Sequence, residues 1–307
     1  MELAKGNRNG SGSRACGFPR GASVVSGCCL AFLGMIVWLG LSNAANAGED
    51  SSLLDIDPSS FSNPTDIDNE WWPLKPGMQY VYEGYTVEDD GEKLPHRIVA
   101  TVTDLTKVIN GVRTVVLYDL DIKDDQLEEA ELAFKAQDDE GNVWHLGEYT
   151  EVYSGDEFVG GKMWAVGHLK GARAGIQMKA TPKLGEPSYS QGLAPPPYNW
   201  TDRGRVAKMG QKTTTASGKY EDVLVTEEFN NEEPGAIQLK YYARGVGNVR
   251  IGWAGEDKIK ETMELVKVIK LDGKALAKAR AAAMQLETRA YVYGLTPPAE
   301  QDAPPSN

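Results

Sequence analysis

From Met78 onward, apolar and polar residues alternate with a period of two, the pattern of strands that cover one face. Over residues 78–86, Tyr80 and Tyr82 share one face while Gln79 and Glu83 share the other. Over 96–103, Ile98, Ala100 and Val102 point one way, and Arg97, Thr101 and Thr103 mostly the other. Asn110-Gly111 separates two such runs, and both residues tolerate the positive φ of a type I′ hairpin turn. The run over 127–137 is expected to turn Ala130, Leu132, Phe134 and Ala136 inward and Glu129, Glu131, Lys135 and Gln137 outward. Further strands are predicted over 143–148, 205–209, 220–228, 237–243, 248–253 and 259–269, with short ones over 162–166 and 176–180. Turn residues such as Asn230-Asn231 and Gly245-Val246-Gly247 fall between them.

Strands joined by short turns, without alternating helices, exclude a doubly wound α/β fold. The prediction is a mainly all-β domain over 63–270. It is an antiparallel meander of about ten strands, twisted into a half-barrel or sandwich. One helix follows within 271–294: Leu276, Ala279, Ala283, Leu286 and Ala290 recur every three or four residues, with Asp272 as N-cap and Gly294 beyond the end. The Pro-rich residues 295–307 are expected to be disordered, and 48–62 to form a flexible arm pinned from Trp71-Trp72 onward. Residues 183–202 form the longest stretch without clear periodicity, and loops of that length tend to be functional or disordered.

The first 47 residues carry a different pattern. Lys5, Arg8, Arg14 and Arg20 precede an apolar run over 22–41, which ends in Ala45-Asn46-Ala47. A basic start, an apolar middle and a small-x-small exit predict a signal peptide cut after Ala47. A retained anchor, or a lipoprotein attached at Cys28, are the rival readings. Export places the mature chain in the periplasm or outside the cell, without stable membrane insertion after cleavage. Cys16, Cys28 and Cys29 all lie in the leader, so the mature chain has no disulfide, thiolate metal site or cysteine nucleophile. Beyond Ala47 there remain 28 basic and 43 acidic residues, a net charge of −15. A field of that sign repels nucleic acid.

Candidate chemistry is sparse. The densest carboxylate run includes Asp119, Asp121 and Asp124, then Asp125, Glu128, Glu129 and Glu131, and suits a hard cation such as Ca²⁺. Its spacing lacks the glycine and closing glutamate of an EF-hand, and a charged hairpin connection is the plainer reading. His145 and Glu148 point to opposite faces of a regular strand, so only a bulge at Gly147 would bring them together. A hydrolase would need a carboxylate pair drawn from Glu131, Asp138, Glu148 and Glu151. No G-x-S-x-G motif occurs in the mature chain, and Gly245-Val246-Gly247 lacks the third glycine of a dinucleotide loop. No cofactor is expected. Aromatic residues mark the strands. If the sheet curls, Tyr80, Tyr82, Trp144, Trp164, Tyr242 and Trp253, with His145, are the candidates to line a ligand cavity.

Three segments carry a resemblance: 72–84 (WPLKPGMQYVYEG), 136–144 (AQDDEGNVW) and 240–247 (KYYARGVG). They resemble a large group of secreted or periplasmic bacterial proteins without assigned function, across most of 63–270. More distantly, the opening and closing strands resemble lipoprotein-carrier-type curved β-sheets. That likeness implies an open half-barrel able to hold acyl chains, and brings no catalytic residues. The expected function is a non-enzymatic envelope protein that binds a small apolar or amphipathic ligand. A carboxylate-pair hydrolase and a calcium-stabilised structural domain are the alternatives. Ligand identity and oligomeric state are not legible in the sequence.

Overall fold

Antiparallel pairing of consecutive strands dominates the computed structural model, which describes residues 55–155, 157–290 and 298–301. The expected leader lies outside these residues. Six strands run first: β1 (Met78–Val87), β2 (Lys93–Ile109), β3 (Val112–Lys123), β4 (Gln126–Gln137), β5 (Val143–Ser154) and β6 (Glu157–Ala165). Three short ones follow: β7 (Arg173–Met178), β8 (Tyr189–Ser190) and β9 (Gly192–Leu193). The closing meander is β10 (Arg203–Thr215), β11 (Gly218–Phe229), β12 (Ala236–Ala243), β13 (Gly247–Gly255) and β14 (Lys260–Lys270). After these come α1 (Gly273–Ala290) and β15 (Glu300–Gln301). The order across the sheet is β8-β10-β11-β12-β13-β14-β1-β2-β3-β4-β5-β7-β9, with β15 on β2 and β6 on β5. β1 and β14 pair, so the end of the meander returns to its beginning.

Two turns account for much of the register. Asn110 and Gly111 both take positive φ and join β2 to β3, as their chemistry requires. Asp124 and Asp125 do the same between β3 and β4, because Asp is one of the few residues that tolerates the left-handed region.

The sheet is curled but not closed by a continuous ladder. Its two ends are β8 and β9, separated in sequence by the single residue Gln191. Tyr189 and Ser190 pair with β10, and Gly192 and Leu193 pair with β7, so one short segment touches both edges. Gly175 on β7 permits this approach: a Cβ there would lie 2.1 Å from the Gly192 nitrogen. Most neighbouring strands share long registers. The β8–β10, β7–β9 and β13–β14 seams each hold only two register pairs.

Each face of the sheet covers a core. On one face, Ala130, Leu132, Phe134 and Ala136 of β4 pack with Ile109, Val116 and Tyr149, under Ala283, Leu286 and Ala290 of α1. The helix is capped by Asp272, whose Oδ1 accepts from the Ala275 amide at 2.8 Å. Ion pairs fasten it: Arg280 grips Asp104 with two donors, Arg289 grips Glu151, and Lys107 meets Glu287 where both are fully buried. The other face carries Leu74, Tyr80, Val102, Leu117, Ala133, Tyr242 and Leu265.

The described parts of two segments expected to be loose, 55–62 and 298–301, are seated on the sheet. Phe61 is buried edge-on against Trp144 at 6.1 Å, Asp55 pairs with Arg173 at 2.8 Å, and Ser62 donates to Asp139. Near the C-terminus, Ala299 is buried and its amide donates to Glu287. The physical reason is the same in both: an apolar residue flanked by polar partners replaces solvent at an uncovered part of the sheet.

Candidate functional site

The second face of the curled sheet encloses a cavity of about 320 Å³. Cross-strand register builds its wall. Tyr80, Ala100, Asp119 and Glu131 are successive partners across β1, β2, β3 and β4. One step along, Tyr82, Ile98, Asp121 and Glu129 form the next row. In each row a tyrosine and a small or aliphatic residue precede two carboxylates facing one another, an arrangement that repels. Of the residues expected to point outward from β4, Glu131 and Lys135 line this lumen instead, while Gln137 bonds to Asp68 and Asn69. Beyond Glu131 and Lys135 lies the far side of the curled sheet, not bulk water.

β5 adds His145 and Glu148, brought to the same face by a bulge. Gly147 pairs with Phe134 and His145 with Lys135, so Leu146 is the extra residue. Gly147 sits at φ +147°, and a Cβ there would lie 2.4 Å from the Trp164 carbonyl oxygen. His145 Nε2 donates to the Gly147 carbonyl at 3.0 Å and lies 3.6 Å from Glu148 Oε2. Both side chains are buried. From the closing meander come Glu228, Lys240 and Tyr242, with Lys240 Nζ 2.7 Å from Glu228 Oε2. Gln191, Trp200 and Asp202 complete the wall from the stretch expected to be irregular. Gln191 donates to Glu228 at 3.0 Å.

Among the described residues, nine carboxylates and two lysines line this cavity. Burial and crowding disturb their protonation. Burial, then the charge of Glu131, pushes Asp119 up to about 7. Burial, then Glu228, pushes Asp202 up to about 7. Glu148 is raised well above its ordinary value by burial and then by Glu131, while burial brings Lys135 down to about 8. His145 is held neutral by burial and by Lys135. At the cavity's edge, His96 lies 2.6 Å from Asp121 and 3.4 Å from Glu261. Burial opposes its charge, but the hydrogen bond and charge of Asp121 carry it upward.

Of the aromatic candidates, Tyr80, Tyr82 and Tyr242 line the cavity with His145. Trp164 backs the wall, 5.1 Å from the His145 ring and 5.8 Å from Trp200. Trp144 faces the α1 side, where its indole nitrogen donates to Asp138 at 2.7 Å. Trp253 is 39% exposed, with the Lys260 ammonium 4.9 Å above its ring. Of the metal candidates, Asp119 and Asp121 line the cavity, and Asp124 is exposed in its turn. No group of three His, Cys, Asp or Glu among the described residues is arranged to hold a metal ion. Of the four hydrolase candidates, Glu131 and Glu148 share the cavity. Asp138 braces the turn before β5, and Glu151 binds Arg289.

A second cavity of about 540 Å³ adjoins the first and shares Trp200, Asp202, Asn230, Glu233 and Ala236 with it. No family model matches the chain, and no curated protein does. Two solved structures are similar to it. One is a protein described as exported, with a YmcC-like fold, from Bacteroides fragilis, at 13% identity and a TM-score of 0.35. The other is described as a lipoprotein from Parabacteroides distasonis, at 10% identity and a TM-score of 0.35. Each covers 66% of this chain and 100% of its own. No residue role is carried across at that level of agreement. No described helix is long and apolar enough to cross a membrane.

Proposed function

We propose that this is an exported, non-enzymatic protein that holds a small amphipathic ligand inside its curled sheet. The supporting observation is the cavity itself. Its volume of about 320 Å³ falls in the range of small-molecule sites, and its wall sets tyrosines beside polar groups. Such a wall suits a molecule with an apolar body and a polar head. Export is supported by the basic start, the apolar run and Ala45-Asn46-Ala47. Incubating the purified protein with a cell lipid extract and recording native mass spectra tests the reading. Retained small-molecule adducts are expected, and only empty protein would overturn it. Mass analysis of the exported product should find an N-terminus at Gly48.

A second reading, hydrolysis by Glu131 and Glu148, is favoured by one observation: Glu148 is driven toward its neutral form partly by the charge of Glu131. Burial raises both acids, Glu148 well above its ordinary value, and a carboxyl kept neutral beside a second acid is the acid partner such chemistry needs. Release of nitrophenol from chromogenic glycosides, lost in Glu148→Gln, would favour it over binding alone.

A further inference from the structure

The lumen combines three features that binding of a neutral amphipath does not require. The first is register: Asp119 faces Glu131 and Asp121 faces Glu129 on neighbouring strands, and like charges placed directly opposite repel. The second is an acceptor surplus. Asp119 Oδ1 and Gln177 Oε1 are buried at the cavity with no hydrogen-bond donor, against one unpartnered donor there, the Trp200 indole nitrogen. The third is spacing. Ala100 stands between Tyr80 and Asp119 in the same row, leaving a notch between an aromatic residue and a carboxylate whose strands are two spacings, about 10 Å, apart. Lys240 is already engaged by Glu228.

We propose that the cavity takes a small organic amine, its ammonium donating to Asp119 beside Glu131 and its apolar body lying across Ala100 against Tyr80 and Tyr82. The proposal rests on the ligand-binding reading above and specifies its chemistry. An ammonium carries only donors, which matches acceptors that lack them. A hard metal ion fits less well, because it needs a dense oxygen cage that the described residues do not form.

Protons occupy this place when the amine is absent. Asp119 is pushed up to about 7 by burial and by Glu131, so below neutral pH it is largely protonated. The groups acting on this row from neighbouring strands are Lys135 on β4, Glu148 and His145 on β5, and Lys162 on β6. Lys240 acts on it from β12. Lys135 itself is brought down to about 8, so it titrates mainly above Asp119. Amine binding therefore releases a proton, and affinity rises as Asp119 ionises. Full coupling to one group near 7 gives about a tenfold gain between pH 6 and pH 8.

Calorimetric titration of the purified protein with octylamine and with 1-octanol, at pH 6 and pH 8 and in two buffers of different ionisation enthalpy, tests this. Octylamine is expected to bind at least about tenfold more tightly than octanol at pH 8, and to weaken about tenfold at pH 6 with proton release. Octanol binding should not change with pH. Asp119→Asn should remove the pH dependence of octylamine and leave octanol unaffected, with circular dichroism confirming the fold. Ala100→Leu, which fills the notch, should abolish both. Equal binding of octanol and octylamine would overturn the amine assignment and leave the cavity a ligand site. So would an unchanged pH dependence in Asp119→Asn. Binding of neither would overturn both readings.

Discussion

The two faces of β4 both lie inside the fold and are chemically opposite. Leu132, Phe134 and Ala136 face α1 in a mostly apolar core with one buried ion pair, Lys107–Glu287, whereas Glu131 and Lys135 face the lumen one residue away. The first face is stabilised by filling space. The second tolerates frustrated charges and an unfilled volume, which cost stability and suit a site that something else must complete.

Substitutions on the two faces should therefore differ in size and in pH dependence. Phe134→Ala removes a fully buried ring from the α1 side and should cost about 3–5 kcal/mol in chemical denaturation. Glu287→Ala leaves the Lys107 ammonium buried beneath α1 without its carboxylate. It should cost about 3–5 kcal/mol, and a paired change to apolar residues at both sites should recover most of it.

On the lumen side the expected effect is smaller and depends on pH. Asp119 and Asp202 hold protons up to about pH 7 when folded, against an ordinary value of 3.8. Between those values the folded state binds more protons than the unfolded one. Stability is thus fully present at the acid end and is lost as pH rises toward 7. His96, raised by Asp121, acts in the same sense, while neutral His145 acts against it. The melting temperature should fall from pH 5 to pH 8, and Asp119→Asn should flatten that slope. A slope of opposite sign would show that the lumen carboxylates do not hold these protons. The smallest effect is expected at Trp253→Ser. Its ring is exposed outside the cavity, so stability should stay within about 0.5 kcal/mol and ligand adducts should persist.

The strands, the Asn110-Gly111 hairpin and the capped helix were legible because each depends on local pattern and turn chemistry. The lumen was not. Alternation says which side chains share a face, and is silent on what lies beyond it. Glu131 and Lys135 read as solvent-facing for that reason. Trp144 and His145 are neighbours on one strand, so alternation sends them to opposite faces, His145 to the lumen and Trp144 to the α1 side, while Trp164 on β6 stands behind His145 and Trp200. The bulge at Gly147 was the stated condition for His145 and Glu148 to meet, and it is present. Asp124 and Asp125 drew attention as cation ligands, although a two-residue turn needs such residues for backbone reasons alone. Gln191, Trp200 and Asp202 come from a stretch with no period, and only the tertiary fold brings them to the cavity.

The short seams divide the wall into two stiff panels, β10 to β13 and β14 to β7, joined at narrow margins. Widening the enclosure can proceed by parting a margin of two register pairs, as a bivalve opens at its edge, while the hairpins within each panel stay intact. Parting one such margin would leave most of the backbone's hydrogen bonding unbroken.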